Sequence, residues 1–289
     1  MLCCILNIEQ KRIKFMNTKL VSVITVVYND VSHIEKTISN VLKQTYPFLE
    51  YIVVDGASTD GTLDVIKKYD GKLKYVSEPD KGIYDAMQKG AQLASGEWIL
   101  FRNCGDFFFS PDAIEKVFNG YVDKGEDFIL CNSRYFQDYG YKDMKPNILT
   151  KSYFETMPVN HPATFIRRAT QLKYPFRLKY RNSADYCFFI EAFLHEATYI
   201  YKDVIVALFD NNSGASTDNY DKSISENIDI LKTFNAPSNL IKQLEEDLIT
   251  CRRRKFIKKY IPFFSLYHNY NMKKMGWVKS PLEKTLANI

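Results

Sequence analysis

Three apolar runs, each ending in polar residues, most constrain how this chain can fold. They span residues 20–28, 51–54 and 98–101. Strands buried on both faces of a parallel sheet have continuous apolar sequences, whereas strands with one solvated face alternate. Amphipathic helical patterns separate the runs, for example Ile34, Ile38 and Val41 after the first. We therefore expect an α/β fold with a mostly parallel central sheet.

Acidic residues lie where two of these predicted strands end. Asp55 follows the second run, and Asp106 follows the third after a short polar stretch that begins at Arg102. The carboxyl ends of parallel strands meet at one edge of a sheet, and ligands bind there in open α/β folds. Asp106 is therefore the first candidate for a functional residue. The alternative is that residues 103–106 form only a turn, because Asn, Gly and Asp favour turns.

Two common nucleotide-binding motifs are absent from the sequence. A dinucleotide fold needs Gly-x-Gly-x-x-Gly after its first strand, but this run ends at Tyr28, Asn29 and Asp30. The phosphate-binding run Gly-x-x-x-x-Gly-Lys-Ser/Thr occurs nowhere. The remaining common solution places acids at the strand ends, where a divalent cation carries the phosphates.

Composition excludes several other classes of protein. Hydrophobic residues make up 46% and charged residues 25%, as in ordinary globular proteins. The six cysteines show no paired metal-ligand spacing, which predicts free thiols in a reducing compartment. No apolar run approaches the roughly 20 residues that a membrane-spanning helix needs. The net charge of +5 favours anionic partners without identifying them.

The chain divides into three predicted parts. Residues 1–17 are expected to be a tail outside the fold, residues 18–222 the sheet domain, and residues 223–289 a helical extension. In the extension, basic residues between 252 and 259 precede aromatic residues between 260 and 267. This combination suits an anionic membrane surface, but a charged helix face beside a small aromatic core explains it equally well. Nucleic-acid binding is disfavoured, because no recognition module accompanies the basic residues.

The order of these motifs resembles that of the inverting family 2 glycosyltransferases. The resemblance rests on residues 23–29, 53–62, 80–90, 103–106 and 184–185, of which the run VVDGASTDGT at 53–62 is the most specific. It implies a single GT-A type nucleotide-sugar-binding domain. It also implies a hexosyltransferase that moves a sugar from a nucleotide diphosphate sugar, UDP-type favoured, to an acceptor hydroxyl with inversion. Surface polysaccharide or lipid-linked glycan assembly is the expected setting.

The resemblance assigns four residues to the nucleotide. Tyr28 matches the position that packs on the base, although a core tyrosine is the alternative. Asp55 matches the acid that accepts a hydrogen bond from the base edge, for which a pyrimidine imide N–H is a suitable donor. Asp80 and Lys81 match the loop that closes around the nucleotide. A solvated ion pair is the alternative for these two.

The same resemblance assigns a metal site and the rest of the donor site to the third strand end. Asp106 matches the last acid of the Asp-x-Asp motif, whose oxygen atoms suit Mg²⁺ or Mn²⁺. Asn103 stands where many relatives have the first acid and is counted with the donor-binding residues. A neutral amide lowers the charge of the site, so we expect weak metal affinity without nucleotide.

Two further residues are assigned to the reaction and the acceptor. Asp185 matches the catalytic base, with Ala184 in place of the glutamate that usually precedes it. A helix-capping acid is the alternative for Asp185. His161 is a candidate for the acceptor pocket, although a lone histidine is more often structural.

The departures at Asn103 and Ala184 keep a second hypothesis open. The chain would then be a non-catalytic nucleotide-sugar or membrane-binding module on the same fold. In both cases the expected partners are a nucleotide sugar and a glycan or lipid-linked acceptor, with no nucleic acid. The expected location is the cytoplasm, peripheral on the inner face of the membrane.

Overall fold

A computed structural model describes residues 19–137, 140–210 and 219–260. The predicted tail at 1–17 and the aromatic residues after 260 therefore lie outside the described residues. The four cysteines in the described part, Cys104, Cys131, Cys187 and Cys251, are free thiols, as the sequence predicted.

The described residues form nine strands and eight helices. The strands are β1 (Val21–Val27), β2 (Leu49–Asp55), β3 (Lys74–Ser77), β4 (Trp98–Phe101), β5 (Phe107–Phe108), β6 (Phe128–Gln137), β7 (Gly140–Met144), β8 (Thr164–Arg167) and β9 (Tyr199–Asp210). The helices are α1 (Val31–Leu42), α2 (Thr62–Lys67), α3 (Ile83–Leu93), α4 (Ala113–Phe118), α5 (Arg168–Lys173), α6 (Ala184–Leu194), α7 (Tyr220–Thr233) and α8 (Ser238–Tyr260). Short 3₁₀ turns cover Asn147–Leu149 and His161–Ala163.

One sheet organises the fold, in the order β3-β2-β1-β4-β8-β6-β9-β5, with β7 paired to β6. The strands β3, β2, β1 and β4 are parallel, as the apolar runs predicted. Strand β8 then enters antiparallel to both β4 and β6. Beyond it, β9 is parallel to β6, and β5 is antiparallel to β9. The α/β class is therefore as predicted, and the second half of the sheet is mixed.

The apolar runs are continuous because hydrophobic cores lie on both faces of the sheet. In β1, Ile24 and Val26 belong to one core, while Val23 and Val27 belong to the other. Helix α6 adds Phe188 and other aromatic side chains to the first core. The parallel strands are thus rigidly held, and the loops at their carboxyl ends rest on a fixed frame.

Helix α7 packs against this frame. Ile230 and Leu231 are fully buried in the core that also contains α6. Glu226 of the same helix accepts hydrogen bonds from the backbone N–H groups of residues 181, 182 and 183, the segment before α6. Helix α7 therefore fixes the entry to α6, while a domain boundary at 222 stays a prediction. Within the described part of the chain, no helix combines the length and apolarity needed to cross a bilayer.

Candidate active site

Asp55 is a buried carboxylate that joins three segments at the end of β2. It accepts hydrogen bonds from the Ser58 backbone N–H at 3.1 Å, the Ser58 hydroxyl at 2.5 Å and the Ser77 hydroxyl at 2.6 Å. The side chain is fully buried. These bonds hold the loop after β2 against the end of β3. They occupy most of the hydrogen-bonding capacity of the carboxylate, which has about four lone-pair positions.

Tyr28 lies at the mouth of a cleft above this loop. The cleft has a volume of about 460 Å³ and is lined by Tyr28, Gly56, Pro79, Asp80, Lys81, Gly82 and Arg181. Tyr28 is 64% exposed, so the core-tyrosine alternative is wrong. Three residues predicted for the nucleotide, Tyr28, Asp80 and Lys81, thus meet in one cleft. Asp55 lies outside its lining.

Gly56 allows the two sides of this cleft to approach each other. A Cβ at residue 56 would lie 2.5 Å from Asp80 Oδ2 and 3.2 Å from the Tyr28 ring. The first distance is below any normal contact, so a side chain at residue 56 would displace the Asp80 carboxylate from its present position. The loop that carries Asp80 is fixed further by the Gly82 N–H, which donates to Asp80 Oδ1 at 2.8 Å.

Two cations face this cleft without an acidic partner. Within the described residues, neither Lys81 nor Arg181 pairs with a carboxylate, and the predicted alternative of an Asp80–Lys81 ion pair is not observed. Both side chains line the 460 Å³ cleft and also a neighbouring cavity of about 200 Å³. Sequence reasoning missed Arg181, because no local motif marks it and its position depends on how α6 packs.

Residues 103–106 form a turn that also presents a buried acid. The Asp106 N–H donates to the Asn103 carbonyl at 3.0 Å, and Gly105 has a φ of +93°, which glycine adopts without strain. The turn alternative is therefore right for the backbone. The Asp106 carboxyl is only 8% exposed, and burial raises its pKa to about 6, although Arg102 and His161 act in the opposite direction.

Arg102 lies next to this turn, and its charged side chain is unexpectedly fully buried. Nη1 donates to the Phe107 carbonyl at 3.3 Å, and the guanidinium lies 4.3 Å from the centre of the Phe108 ring. Nε and Nη2 have no hydrogen-bond partner among the described residues. Burial lowers the pKa of Arg102 to about 10. The sequence placed Arg102 in the polar stretch after β4 and gave no sign of this burial.

Asp185 lies in the first turn of α6, and three groups contact its carboxylate. Oδ1 accepts hydrogen bonds from the Tyr84 hydroxyl at 2.8 Å and from the Tyr186 N–H at 2.9 Å. Oδ2 lies 3.4 Å from His161 Nδ1. Burial acts to raise the pKa of Asp185, but His161, Tyr84 and the Tyr186 N–H outweigh it, so the pKa is lowered. The carboxylate is therefore ionised at neutral pH, as a general base must be.

Asp106 and Asp185 belong to one electrostatic cluster. His161 stabilises the ionised form of both. Both carboxylates, after burial, raise the pKa of Tyr135 to about 12. Neither acid lines the 460 Å³ cleft, and Tyr84 connects the two areas because it lines the adjoining 200 Å³ cavity.

The oxygen atoms at the turn fit a hard divalent cation that brings further ligands. The Asp106 carboxylate and the Asn103 amide oxygen are of the type that Mg²⁺ and Mn²⁺ prefer. Asn103 Oδ1 is buried and has no hydrogen-bond partner in the described part of the chain. No group of three or more His, Cys, Asp or Glu side chains there is arranged to hold a metal. Protein and substrate would therefore have to share the coordination.

Comparison with known proteins decides the family. The model of Glycosyl transferase family 2 matches residues 22–199, which is more than half of the chain. The chain belongs to glycosyl transferase family 2. It is a glycosyltransferase, and the matched range contains every site residue that the sequence predicted.

Relatives agree with this family membership. A PGL/p-HBAD biosynthesis glycosyltransferase from Mycobacterium bovis is 28% identical over 219 residues, covering 72% of this chain and 83% of the relative. A putative glycosyltransferase, EpsH, from Bacillus subtilis is 29% identical over 150 residues, covering 50% of this chain and 42% of the relative.

Solved structures confirm the GT-A type fold. The mannosyltransferase PcManGT from Pyrobaculum calidifontis, in complex with GDP-Man and Mn²⁺, gives a TM-score of 0.60 at 17% identity, covering 80% of this chain and 69% of that one. TarS from S. aureus, residues 1–349 in complex with UDP-GlcNAc, gives a TM-score of 0.59 at 18% identity, covering 80% of this chain and 71% of that one. At these identities the similarity establishes the fold alone.

Proposed function

We propose that this glycosyltransferase moves a sugar from a nucleotide diphosphate sugar, UDP-type favoured, to an acceptor hydroxyl with inversion at the anomeric carbon. The observation that carries the proposal is the Asp185 carboxylate, which is ionised, fixed by hydrogen bonds, and joined through Tyr84 to the cavity beside the cleft that suits a nucleotide. A single inverting displacement needs one base of this kind, on the face opposite the leaving group.

The cleft supplies the groups that a nucleotide diphosphate requires. The exposed ring of Tyr28 offers a stacking surface for the base. Asp55 would accept a hydrogen bond from a pyrimidine imide N–H through its remaining lone pair. Lys81 and Arg181, together with Asp80 in the closing loop, would surround the diphosphate and ribose. Two cations that have no acidic partner among the described residues favour an anionic ligand at this place.

Asp106 and Asn103 would hold a divalent cation, Mg²⁺ or Mn²⁺, together with the diphosphate. Such a cation neutralises charge on the departing nucleoside diphosphate. The raised pKa of Asp106 supports this role, because burial disfavours its charged form and a bound cation would offset that cost. The protonated acid could not bind the cation, so binding should weaken below about pH 6.

The protein groups then act in one step. The acceptor hydroxyl gives its proton to Asp185 as its oxygen forms a bond to the anomeric carbon. The bond from that carbon to the diphosphate oxygen breaks, and its electron pair leaves with the diphosphate. Lys81 and Arg181 stabilise the charge that develops on the leaving group. No second acid is needed, since a nucleoside diphosphate leaves without protonation.

The proposed setting is surface polysaccharide or lipid-linked glycan assembly at the cytoplasmic face of a membrane, with a glycan or lipid-linked acceptor. Arg252, Arg253 and Lys255 are exposed near the end of α8, and basic residues favour anionic lipid surfaces. A variant cut after Thr250 should float less with anionic liposomes than the full chain. Equal flotation would reject this part of the proposal. The role of His161 in acceptor binding and the three-part division of the chain also stay proposals.

The structure weakens one argument for a non-catalytic binding module. Ala184, which replaces an expected glutamate, is fully buried in the hydrophobic core. Alanine at this position packs in the core and lines neither the cleft nor the adjoining cavity. Asn103 is the remaining departure from the family pattern, and its buried amide oxygen is of the type that a divalent cation prefers.

The two functions differ in turnover. The protein should be incubated with a panel of nucleotide sugars, Mn²⁺ or Mg²⁺ and acceptor glycans, and nucleoside diphosphate release measured. We expect release with one donor and acceptor pair, and a product of inverted anomeric configuration by proton NMR. Asp185→Asn should bind the donor but release no diphosphate. Nucleotide binding without release by the unmodified protein would favour the binding module, and a product of retained configuration would exclude the mechanism.

A further inference from the structure

We propose that Tyr84 and His161 are positioning residues for the base. Each contacts a different oxygen of the Asp185 carboxylate, and together they fix the direction in which it faces the acceptor hydroxyl. This inference rests on the proposed function, because it concerns the same site. It goes beyond that function in naming two residues, far from Asp185 in the sequence, on which the base depends.

The geometry assigns a separate carboxylate oxygen to each residue. Tyr84 donates to Oδ1 at 2.8 Å, and His161 Nδ1 faces Oδ2 at 3.4 Å. A carboxylate bonded through one oxygen can still rotate about its Cβ–Cγ bond, whereas contacts to both oxygens stop that rotation. The remaining lone pairs then point in a fixed direction, which is the requirement for proton transfer in a defined geometry.

Tyr84 remains a hydrogen-bond donor at every relevant pH. It is 8% exposed, and burial, with the Asp185 carboxylate, raises its pKa well above the usual value. Its ring packs against Phe176 at a centroid distance of 5.3 Å, so the hydroxyl has little freedom to move. The hydroxyl also lies 3.1 Å from the Asn182 carbonyl, an alternative acceptor in the segment that leads into α6.

Tyr84 also connects the base to the loop around the nucleotide. It belongs to the first turn of α3, directly after Asp80, Lys81 and Gly82. The Lys81 N–H donates to Asp85 Oδ2 at 2.9 Å, so the loop and this turn form one hydrogen-bonded unit. The orientation of Asp185 is therefore tied to the element that would contact the donor.

His161 is held as firmly as Tyr84. It is 9% exposed and lies among the rings of Phe101, Phe176 and Phe189, at centroid distances of 5.5, 6.3 and 5.6 Å. Its Nε2 is buried with no hydrogen-bond partner among the described residues. A purely structural histidine would be expected to satisfy both nitrogen atoms. In the described part of the chain, the polar contact of the His161 ring is the one from Nδ1 to Asp185.

Three other titratable groups act electrostatically on the contacts between Asp185, Tyr84 and His161. Asp106 and Tyr135 interact electrostatically with the cluster from the turn after β4 and from β6, and Glu226 of α7 raises the pKa of Tyr84 electrostatically. None of these three donates a hydrogen bond to the Asp185 carboxylate. Tyr84 and His161 are therefore the side chains whose removal should free it.

The test uses variants that keep the packing. Tyr84→Phe removes one hydroxyl. His161→Asn keeps an N–H near the position of Nδ1, whereas His161→Phe keeps the ring shape and removes both nitrogen atoms. Tyr46→Phe is the matched control, because its hydroxyl donates only to the Lys19 carbonyl, at the opposite end of β1. Each protein is assayed with the nucleotide sugar that the unmodified enzyme turns over, and the dissociation constant of that donor is measured by calorimetry.

Tyr84→Phe and His161→Phe should lower kcat about ten- to hundredfold, the loss expected from removing a hydrogen bond to a charged group, with the donor dissociation constant changed less than about threefold. The acid limb of the kcat profile should move to higher pH, because the carboxylate loses groups that favour its ionised form. His161→Asn should recover part of the lost rate. Tyr46→Phe should behave like the unmodified enzyme.

Each contrary outcome has a distinct meaning. An unmodified protein that turns over no donor overturns the proposed function, and this inference with it. An active enzyme whose Tyr84→Phe and His161→Phe variants keep kcat and its pH profile overturns the inference alone. If the Tyr84 variant fails to fold, the His161 pair decides: equal loss in Asn and Phe, with donor affinity lost in parallel, indicates a structural role and rejects positioning.

Discussion

Asp55 and Asp106 lie at the carboxyl ends of two strands that flank β1, yet their surroundings differ in almost every respect. Asp55 accepts three hydrogen bonds from Ser58 and Ser77. Asp106 interacts with only one hydrogen-bonding group among the described residues, the Asn103 backbone, and burial raises its pKa to about 6. Both acids are buried and both follow apolar runs, so the sequence alone presents them as equivalent.

The difference indicates that Asp55 stabilises the structure around the site, whereas Asp106 is available to bind a ligand. The bonds of Asp55 join the loop after β2 to the end of β3, which places Gly56 beneath the cleft. Asp106 lies instead beside Asn103 and a buried Arg102, and its ionisation costs free energy in the absence of a cation. We therefore expect removal of Asp55 to damage the fold and removal of Asp106 to damage only binding.

The largest expected effect on stability is that of Asp55→Ala. It leaves the Ser58 N–H and the Ser77 hydroxyl without their acceptor, and should lower the free energy of unfolding by about 3 kcal/mol. Urea unfolding followed by circular dichroism measures this. Asp64→Ala, at an exposed residue with a long ion pair to Lys67, is the control and should change it by less than about 0.5 kcal/mol. Equal effects in the two variants would contradict the role given to Asp55.

The second prediction concerns Asp106, whose replacement should raise the free energy of unfolding instead of lowering it. Between pH 4 and 6 the folded protein keeps a proton on Asp106 that the unfolded chain releases, so stability falls as the pH rises through this window. Asp106→Asn carries no such charge. Without divalent cations, it should be more stable than the unmodified protein at pH 8 by about 2 to 3 kcal/mol.

This gain should disappear at pH 4, where Asp106 is protonated in the folded state. Urea unfolding in the presence of a chelator at pH 4, 6 and 8 checks the trend. A difference that does not change with pH, or an Asn variant that is less stable at pH 8, would show that Asp106 is a structural acid like Asp55.

A smaller change in the free energy of unfolding is expected for a substitution in the loop after β2, to which Asp55 is hydrogen-bonded. Ala57 has a φ of +63°, a conformation that costs an alanine roughly 1 kcal/mol and glycine almost nothing. Ala57→Gly should therefore raise the free energy of unfolding by about 0.5 kcal/mol after the entropy of the unfolded chain is counted. Ala192→Gly, inside α6, should lower it by about 1 kcal/mol or more. A loss of stability in both variants would show that the loop is not under strain at residue 57.

Much of the first half of the fold could be predicted, because its signals are local. The run at 20–28 predicted β1, and Ile34, Ile38 and Val41 predicted α1. The turn at 103–106 and the position of Asp106 at a strand end also followed from neighbouring residues. In each case the pattern depends on side chains that are close in sequence and face a common core.

The details of the site depended on contacts between distant segments. The hydrogen bond from Tyr84 to Asp185 joins residues 101 positions apart, and Ser77 meets Asp55 from a different strand. Strand β8 enters the sheet antiparallel between β4 and β6, a pairing that no local pattern specifies. The burial of Arg102 and the approach of Arg181 to the cleft follow from this packing. They therefore could not be read from a single sequence.

The most direct test of the comparison is to measure free Mn²⁺ by electron paramagnetic resonance as it is titrated into the protein with the nucleoside diphosphate of its donor. The unmodified protein at pH 7.5 should bind one Mn²⁺ in the presence of nucleotide and little in its absence. Asp106→Asn should lose this binding, while Asp55→Asn, which keeps the side-chain shape, should still bind one Mn²⁺ in the nucleotide complex. Undiminished Mn²⁺ binding by Asp106→Asn, or its loss in Asp55→Asn alone, would contradict the account.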